Sequence, residues 1–529
     1  MRRWVVTMSL LVLLGATVAH GLEPRWKAQF EDDIRWQKLT AAGNLVVSND
    51  RALYGVDPES GQIKWEMPQF KKLAEEMLEL VPMTPYAVIT AGTGTMGTMT
   101  RVALVDLIEG KELWDSKTIG LNQTFGQFLF LETGRIMMYG VDAKGKKAVV
   151  VAALDAGTPL WAAPGFFKKD PWLFPLGKSK LRPRFTIAGN HEPVFDTPGT
   201  FITCMSADGL RKHDAATGKL LWTSKAKVGK GNPPGWGFAQ MVLSRDGNLV
   251  FAPVDKSVIA VRTSDGAVAW KKPPKLDGVV SQMVVTPQGL LVQGGPDAKG
   301  KGKPFITVLD PATGAPTWRK PFKKMRAASN FVVQGDRVLI CTDGTLYALS
   351  LADGSDQTVA QKIRFSGGEI PGQLSVRADG YLLQSSQNVA LYGLDGGEKF
   401  SAYYAAPGAS MFAKIASTAA IAAANAASAA NAYSQAQATG QDQQYSLISS
   451  NPVLSKRFKA TANTDNYVYI LTDIKGDEKG PGLVKVNKNT GKLEKQLVLG
   501  TKEPEYEMDE VEARLFFRSG DREITCYDF

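Results

Sequence analysis

Short runs in which apolar and polar residues alternate follow one another along most of the chain. Alternation with a period of two is typical of β-strands that bury one face. Residues 248–252 and 257–261 form two such runs, and a turn at Asp265-Gly266 leads from the second run into residues 268–270. The pattern therefore predicts successive antiparallel hairpins.

A longer motif repeats along the chain. In its clearest copies, from Asp214 to Trp222 and from Asp310 to Trp318, an Asp-x-x-Thr-Gly turn leads to a tryptophan. The steps between consecutive tryptophans of this kind are 49, 47, 61, 48 and 48 residues, and weaker copies without tryptophan occupy residues 346–354, 389–397 and 483–491. A period of this size is typical of solenoids and propellers. Four antiparallel strands per unit favour a β-propeller.

The two ends of the chain predict how the ring closes. Residues 514–517 and 524–529 supply two middle strands, and the chain ends where an outer strand is due. Residues 24–30 contain Trp26 and resemble that missing outer strand. We therefore expect an all-β propeller of eight to ten blades, with ten as the best count, closed by an N-terminal outer strand.

One tryptophan in each strong repeat falls on the predicted outer strand. A buried tryptophan removes ~150–250 Å² of surface from water, so it can dominate the packing of one blade on the next. We expect this blade-docking role for seven residues: Trp26, Trp65, Trp114, Trp161, Trp222, Trp270 and Trp318.

The first 21 residues have the features of a secretory signal peptide. Arg2 and Arg3 precede an apolar run, and small residues at 19–21 offer a cleavage site. The apolar run is shorter than the about 20 residues that a membrane-spanning helix needs. No cysteine follows it as a lipid-attachment site. We expect a periplasmic or secreted protein with a single domain at residues 22–529 and no transmembrane segment after signal removal.

An alanine-rich segment at residues 405–446 interrupts the repeats. Alanine has the best helix propensity, and Gly440 is a plausible stop, so the segment predicts a helix from residue 410 to about residue 437. The sequence leaves two roles open for this helix, a cap on the propeller or an element that faces a partner, with disorder as a third alternative. The candidate partner-binding residues are Met411, Phe412, Ile415, Ile421, Asn425 and Asn431.

Side chains that carry chemistry are scarce. The chain has three cysteines and three histidines in 529 residues, and its net charge is +10. Its basic residues are scattered along the sequence apart from short clusters such as residues 299–303, which we expect at the tip of a hairpin. Cys204, Cys341 and Cys526 are isolated, and neither His191 nor His213 has a second ligand at metal-binding spacing. Residues 92–97 match G-x-G-x-x-G but lie between two strands, which indicates a hairpin loop. These features predict no catalytic residue, no metal site and no nucleic-acid binding.

The Asp-x-x-Thr-Gly…Trp motif resembles the pyrroloquinoline-quinone-like (PQQ-like) propeller repeat, and the resemblance covers almost the whole chain after residue 21. One branch of that superfamily contains quinoprotein dehydrogenases, which the resemblance associates with an adjacent-cysteine disulfide, a calcium or lanthanide ion and an Asp base. Another branch is similar to the non-catalytic propeller subunit of the outer-membrane β-barrel assembly machinery. The isolated cysteines favour the second branch.

These observations lead to one expected function and two alternatives. We expect a non-catalytic protein-interaction scaffold of the cell envelope, with envelope or outer-membrane proteins as partners, a role in outer-membrane protein assembly and no cofactor. The first alternative is a quinone-dependent oxidoreductase or a degenerate ligand-binding relative, and only this alternative implies PQQ and calcium. The second is a carbohydrate-binding or surface-assembly module, for which Trp172 and Trp236 are candidates.

Overall fold

The fold was analysed in a computed structural model. It describes residues 22–40, 42–81, 84–92, 100–130, 133–166, 190–205, 209–228, 239–297, 300–407, 466–476 and 478–529. The described part is almost entirely β-structure: 37 strands accompany three short 3-10 helices at Pro68–Phe70, Glu75–Met77 and Ser366–Gly368. No helix among these residues is long and apolar enough to cross a membrane.

The strands form ten blades. Within each blade the strands are lettered a to d from the central channel outwards. The first five blades are built as follows. Blade 1 has β2 (Ile34–Leu39), β3 (Leu45–Asn49), β4 (Leu53–Val56) and β5 (Ile63–Met67). Blade 2 has β6 (Leu78–Leu80), β7 (Tyr86–Gly92), β8 (Thr100–Asp106) and β9 (Lys111–Asp115). Blade 3 has β10 (Leu121–Phe130), β11 (Arg135–Asp142), β12 (Lys147–Ala153) and β13 (Pro159–Pro164). Blade 4 has β14 (Asn190–Thr197), β15 (Thr200–Met205), β16 (Gly209–Asp214) and β17 (Leu220–Thr223). Blade 5 has β18 (Val242–Leu243), β19 (Leu249–Val254) and β20 (Ser257–Arg262).

The other five blades follow the same order. Blade 6 has β21 (Val279–Thr286), β22 (Gly289–Gly295) and β23 (Phe305–Leu309). Blade 7 has β24 (Ala328–Gln334), β25 (Arg337–Thr342), β26 (Thr345–Ser350) and β27 (Asp356–Gln361). Blade 8 has β28 (Gln373–Arg377), β29 (Gly380–Gln384), β30 (Asn388–Tyr392) and β31 (Glu398–Tyr403). Blade 9 has β32 (Tyr467–Ile474), β33 (Gly480–Asn487) and β34 (Leu493–Val498) as strands b to d. Blade 10 has β35 (Tyr506–Asp509), β36 (Arg514–Gly520), β37 (Glu523–Asp528) and β1 (Trp26–Gln29).

The N-terminal strand closes the ring, as the sequence predicted. Strand β1 pairs antiparallel with β37, and Trp26 lies opposite Cys526 while Ala28 lies opposite Ile524. Since β37 also pairs with β36, blade 10 contains strands from both ends of the chain. The predicted PQQ-like propeller and its count of ten blades are confirmed.

The hydrophobic core is divided among the seams between blades. Ten clusters of buried residues occupy the described part of the chain, and each draws its members from two neighbouring blades. At the seam of blades 10 and 1, for example, Phe516 and Ile524 pack with Leu45 and Val47. Because every blade buries both faces in this way, stability depends on seams that are continuous around the ring.

The same contact recurs at seven seams. The indole Nε1–H of the outer-strand tryptophan donates a hydrogen bond to a backbone carbonyl in the c–d turn of the next blade. The N···O distances are 3.0 Å for Trp26, 3.2 Å for Trp65, 2.7 Å for Trp114, 2.9 Å for Trp161, 3.0 Å for Trp222, 2.9 Å for Trp270 and 3.0 Å for Trp318. At the seam of blades 8 and 9, the ring of Phe400 packs on the turn glycine Gly491.

Each of these tryptophan rings lies against the glycine of the next c–d turn. Gly314 adopts a left-handed conformation with φ +75°, and a methyl group there would lie 2.6 Å from the ring of Trp270. The turn itself is closed by Asp310, whose Oδ1 accepts the backbone N–H groups of Ala312 and Thr313. Glycine is therefore required both for the turn geometry and for the approach of the indole. We call this arrangement the indole–glycine clasp.

Several sequence predictions fall outside the described residues. These are the signal peptide at 1–21, the helix at 410–437 with its six candidate partner-binding residues, and Trp172 and Trp236. The strands on either side of the G-x-G-x-x-G motif are described, and they pair antiparallel with Gly92 opposite Thr100.

A histidine is buried at the seam of blades 3 and 4. The ring of His213 stacks on Phe166 with centroids 4.2 Å apart and on Phe201 at 5.3 Å, and its Nδ1–H donates to the carbonyl of Gly218 at 3.2 Å. Its side chain is 2% exposed. Burial lowers the pKa of His213 to about 4, because the imidazolium ion loses its hydration there.

We predict that Gly314→Ala destabilises the protein more than Gly145→Ala does. Both glycines have similar left-handed φ values, +75° and +74°, but no atom lies within 4 Å of a methyl group at Gly145. The backbone strain is therefore shared, and the contact with Trp270 adds about 1–3 kcal/mol at Gly314 alone. Thermal unfolding of the two variants measures the difference. Equal melting temperatures would contradict the clasp.

We predict that acidification from pH 7 to 4.5 destabilises the wild-type protein by about 2–3 kcal/mol more than it destabilises His213→Phe. In the unfolded chain His213 takes up a proton near pH 6.5, whereas in the fold its pKa is about 4. The unfolded state thus binds more protons between these values, and stability falls as the pH drops. Unfolding curves measured for both proteins test this, and parallel pH profiles would refute it.

Candidate functional site

The loops of the propeller separate into two faces. Because neighbouring strands of a blade are antiparallel, the a–b and c–d turns leave one end of the strands, and the b–c turns and the d–a segments leave the other. We call the first end the turn face and the second the connector face. The Asp-x-x-Thr-Gly turns lie on the turn face, since they join strands c and d.

Basic side chains accumulate on the connector face of blades 4 to 7. Fourteen exposed lysines and arginines and the half-buried Lys256 lie there or on the adjoining outer edge: Arg319 and Lys320 follow the outer edge of blade 6, and the others lie in b–c turns or in the segments from an outer strand to the next inner strand. We call these residues the basic sector. The exposed members are Lys225, Lys227, Lys271, Lys272, Lys275, Lys301, Lys303, Arg319, Lys320, Lys323, Lys324, Arg326, Lys362 and Arg364.

The outer edge of blade 6 shows how the fold places these cations. The segment after Gly314 pairs with β23 through the bridges Leu309–Pro316 and Ile306–Phe322. Arg319 and Lys320 lie between the two bridges, where the segment leaves the sheet and both side chains are exposed. Phe322 and Met325 turn back into the seam with blade 7 and anchor the segment.

Few acids offset the basic sector. Within the same described turns and segments there are five: Asp255, Asp277, Asp297, Asp343 and Glu369. Two of them form ion pairs with members of the basic sector, as Asp356 of strand β27 also does with Lys324 at 2.6 Å, and a third is hydrogen-bonded within blade 8. Lys323 Nζ lies 2.9 Å from Asp277 and Lys256 Nζ 3.8 Å from Asp297. One carboxylate oxygen of Glu369 accepts hydrogen bonds from the backbone N–H of Gln387 and from two side chains of blade 8.

The surface charge differs in sign between blades on the connector face, and it also differs between the connector face and the turn face. On the same connector face, residues 31–33 at the exit of blade 10 are all acidic. On the opposite turn face, the turns of blades 5 to 8 carry seven aspartates: Asp246, Asp265, Asp310, Asp336, Asp353, Asp379 and Asp395. Arg245 lies in one of these turns, and four cations near the adjoining strand ends, Arg262, Arg337, Arg377 and Lys399, pair with Asp265, Asp336 and Asp379. Hydrogen bonds from Arg262 and backbone N–H groups lower the pKa of Asp265 to about 2.

A shallow pocket opens inside the basic sector between blades 4 and 5. Its volume is about 390 Å³, and Lys227, Lys256 and Lys275 line it together with Pro273 and Pro274. The d–a segment that contains Pro273 and Pro274 is held in place by Ser257, whose hydroxyl donates to the carbonyl of Pro274 at 2.8 Å. The nearby Lys256 Nζ donates to the carbonyl of Lys301 at 3.1 Å. Asp255 also lines the pocket, so three ammonium groups share it with one carboxylate.

A second polar cluster lies on the inner strands of blades 10 and 1. Glu507 Oε2 accepts the backbone N–H of Leu39 at 3.1 Å, while the neighbouring Lys38 pairs with Glu75 at 3.1 Å. Loss of hydration raises the pKa of Glu507 to about 7. Among the described residues, no group of three His, Cys, Asp or Glu side chains could hold a metal ion.

The structure places the three cysteines at separate positions in the core. Cys204, Cys341 and Cys526 are buried free thiols on the middle strands of blades 4, 7 and 10. Loss of hydration raises the pKa of each thiol to about 12, so the reactive thiolate is scarce at neutral pH.

The seven tryptophans named from the sequence lie at seven seams. The sequence analysis did not identify the basic sector. The expectation that basic residues are scattered holds along the chain and is wrong in three dimensions, because the loops of four blades project from one face. A signal was present: cations follow two consecutive tryptophans, as Lys271-Lys272 after Trp270 and as Arg319-Lys320 after Trp318. An alignment of the repeats on their tryptophans would have shown it.

The repeat, the ten blades and the loop-built surface define a PQQ-like β-propeller. The family model described as outer membrane protein assembly factor BamB matches residues 146–363 and 254–479. These overlapping matches span residues 146–479, which is more than half of the chain. The chain belongs to this family.

Individual proteins show weaker similarity. The quinoprotein ethanol dehydrogenase of Pseudomonas aeruginosa is 26% identical over 203 residues, which covers 36% of this chain and 30% of that relative. The crystal structure of BamB from Moraxella catarrhalis superposes with a TM-score of 0.35 at 13% identity, over 71% of this chain and 98% of that one. The quinohemoprotein alcohol dehydrogenase ADHIIG of Pseudomonas putida gives a TM-score of 0.33 at 12% identity, with 72% of each chain covered. Similarity at this level says nothing about substrates or partners.

We predict that the basic sector controls retention on a cation exchanger. A variant with Lys227, Lys275, Lys303 and Arg326 changed to Gln removes four exposed cations for which the structure shows no ion pair. A matched control changes four exposed cations of the turn face, Lys111, Lys219, Arg245 and Lys492, to Gln. Both variants lose the same net charge, but we expect the first to elute at clearly lower salt because its cations act together. Elution of both variants at the same salt concentration would contradict the clustering.

Proposed function

We propose that this protein is a non-catalytic interaction scaffold of the cell envelope that takes part in outer-membrane protein assembly. The observation that carries the proposal is the family match over residues 146–479, whose model describes an outer-membrane protein assembly factor. The predicted signal peptide supports an envelope location, because it directs export.

The chemistry of the described surface supports a binding role. The basic sector consists of long side chains on turns and linkers, and a rigid scaffold that presents such loops is a common arrangement for recognition. The pocket within it is open and lined by lysines and prolines. Binding by this surface requires complementary charge on the partner and does not require a catalytic side chain on this protein.

A quinone-dependent oxidoreductase is a second candidate, because the matched region of the Pseudomonas aeruginosa relative belongs to a quinoprotein. PQQ with calcium would need several carboxylate or amide oxygens around one cation. Glu507 is a carboxylate on a described inner strand, but no group of three His, Cys, Asp or Glu side chains among the described residues could hold a metal ion there.

The proposal is tested by crosslinking the full chain in cells of its source organism and by depleting it. We expect crosslinks to the barrel-forming subunit of the assembly machinery and a fall in the amount of folded outer-membrane barrels on depletion. Normal barrel levels after depletion, together with a rise in melting temperature on adding PQQ and calcium, would favour the oxidoreductase.

A variant that lacks residues 405–446 locates the contact. Loss of the crosslink in this variant, with the melting temperature preserved, would assign partner binding to the alanine-rich segment and its residues Met411, Phe412, Ile415, Ile421, Asn425 and Asn431. An unchanged crosslink would assign it to the propeller.

A further inference from the structure

We propose that the basic sector attaches this protein to the surface of an anionic phospholipid bilayer, with the connector face of blades 4 to 7 against the headgroups. The observation is the asymmetry of charge: fourteen exposed cations lie on one face of four adjacent blades and on the outer edge that leads to it, whereas the turn face of blades 5 to 8 carries seven aspartates. Attachment to lipid is a property beyond the proposed role in assembly and requires no protein partner.

The shape of the basic sector fits a flat, extended partner. Apart from Arg319 and Lys320 on the outer edge of blade 6, its cations come from the b–c turns and d–a segments of four adjacent blades, which all end at the same side of the ring. A compact acidic protein would contact one or two of these loops, whereas a bilayer contacts all of them at once. Each basic side chain near an anionic membrane strengthens binding by roughly fivefold, so several acting together give stable attachment.

The residue types also favour lipid over protein. Eleven of the fourteen exposed cations are lysines and three are arginines. Protein interfaces are enriched in arginine and aromatic residues and depleted in lysine. Lysine, in contrast, is a hydrated point charge on a flexible stem, which suits mobile phosphate headgroups that present no fixed geometry.

Two further features fix the orientation. Ile370, 52% exposed, projects from the d–a segment that also carries Lys362 and Arg364, so an apolar side chain accompanies the charge. On the turn face, the exposed carboxylates of Asp246 and Asp353 would be repelled by the same anionic surface. The propeller therefore presents only its connector face to the membrane.

Sedimentation with vesicles tests the proposal on the mature full-length chain. We expect binding to vesicles of phosphatidylcholine and phosphatidylglycerol in about a 2:1 ratio, no binding to phosphatidylcholine alone, and release at ~0.5 M salt. The variant with Gln at positions 227, 275, 303 and 326 should bind at least about tenfold more weakly. The matched variant with Gln at 111, 219, 245 and 492 should bind like the wild type.

Three results would overturn the inference. One is equal binding of the wild type to neutral and anionic vesicles, and another is equal weakening by the two sets of substitutions. The third is unchanged vesicle binding by the basic-sector variant together with loss of its crosslink to an acidic envelope protein, which would assign the surface to protein recognition. Circular dichroism and melting temperatures of both variants establish that they are folded. None of these results bears on the effect of depletion on barrel assembly.

Discussion

The packing of an indole ring on a turn glycine is the contact on which the ring depends. At seven seams a tryptophan of one blade both covers the glycine of the next c–d turn and donates a hydrogen bond to a carbonyl of that turn. The contact fixes the distance and the angle between neighbouring blades. Because each blade contacts only its two neighbours, loss of this contact weakens the seam at which it occurs.

The rigid seams explain how a surface built from loops can have a defined charge pattern. The clasp holds the c–d turns, and anchoring residues such as Phe322 and Met325 hold the d–a segments against the next blade. Cations that are more than one hundred residues apart, such as Lys225 and Lys362, therefore lie on one face. Acids that enter this surface are engaged locally, as the pairing of Asp277 with Lys323 shows. The remaining positive charge is free to act on a partner.

The chain combines a family of assembly factors with a surface that suits an anionic bilayer. These two properties are compatible, since a protein that serves outer-membrane barrels works beside a membrane. The three thiols are buried and protonated, His213 is held neutral between aromatic rings, and Glu507 is a single carboxylate on the inner strands.

The sequence by itself determined the blades and their closure, because each depends on local signals. Period-two alternation, the Asp-x-x-Thr-Gly turn and the position of Trp26 are all readable within a few residues. The spacing of the tryptophans allowed the seams to be anticipated. It did not identify the glycine that each ring covers, because the tryptophan and the turn carbonyl that accepts its hydrogen bond lie 32 to 54 residues apart. Only the tertiary structure decided the basic sector. Its charges are separated along the chain by whole blades, and they become neighbours because antiparallel strands send every second loop to the same face.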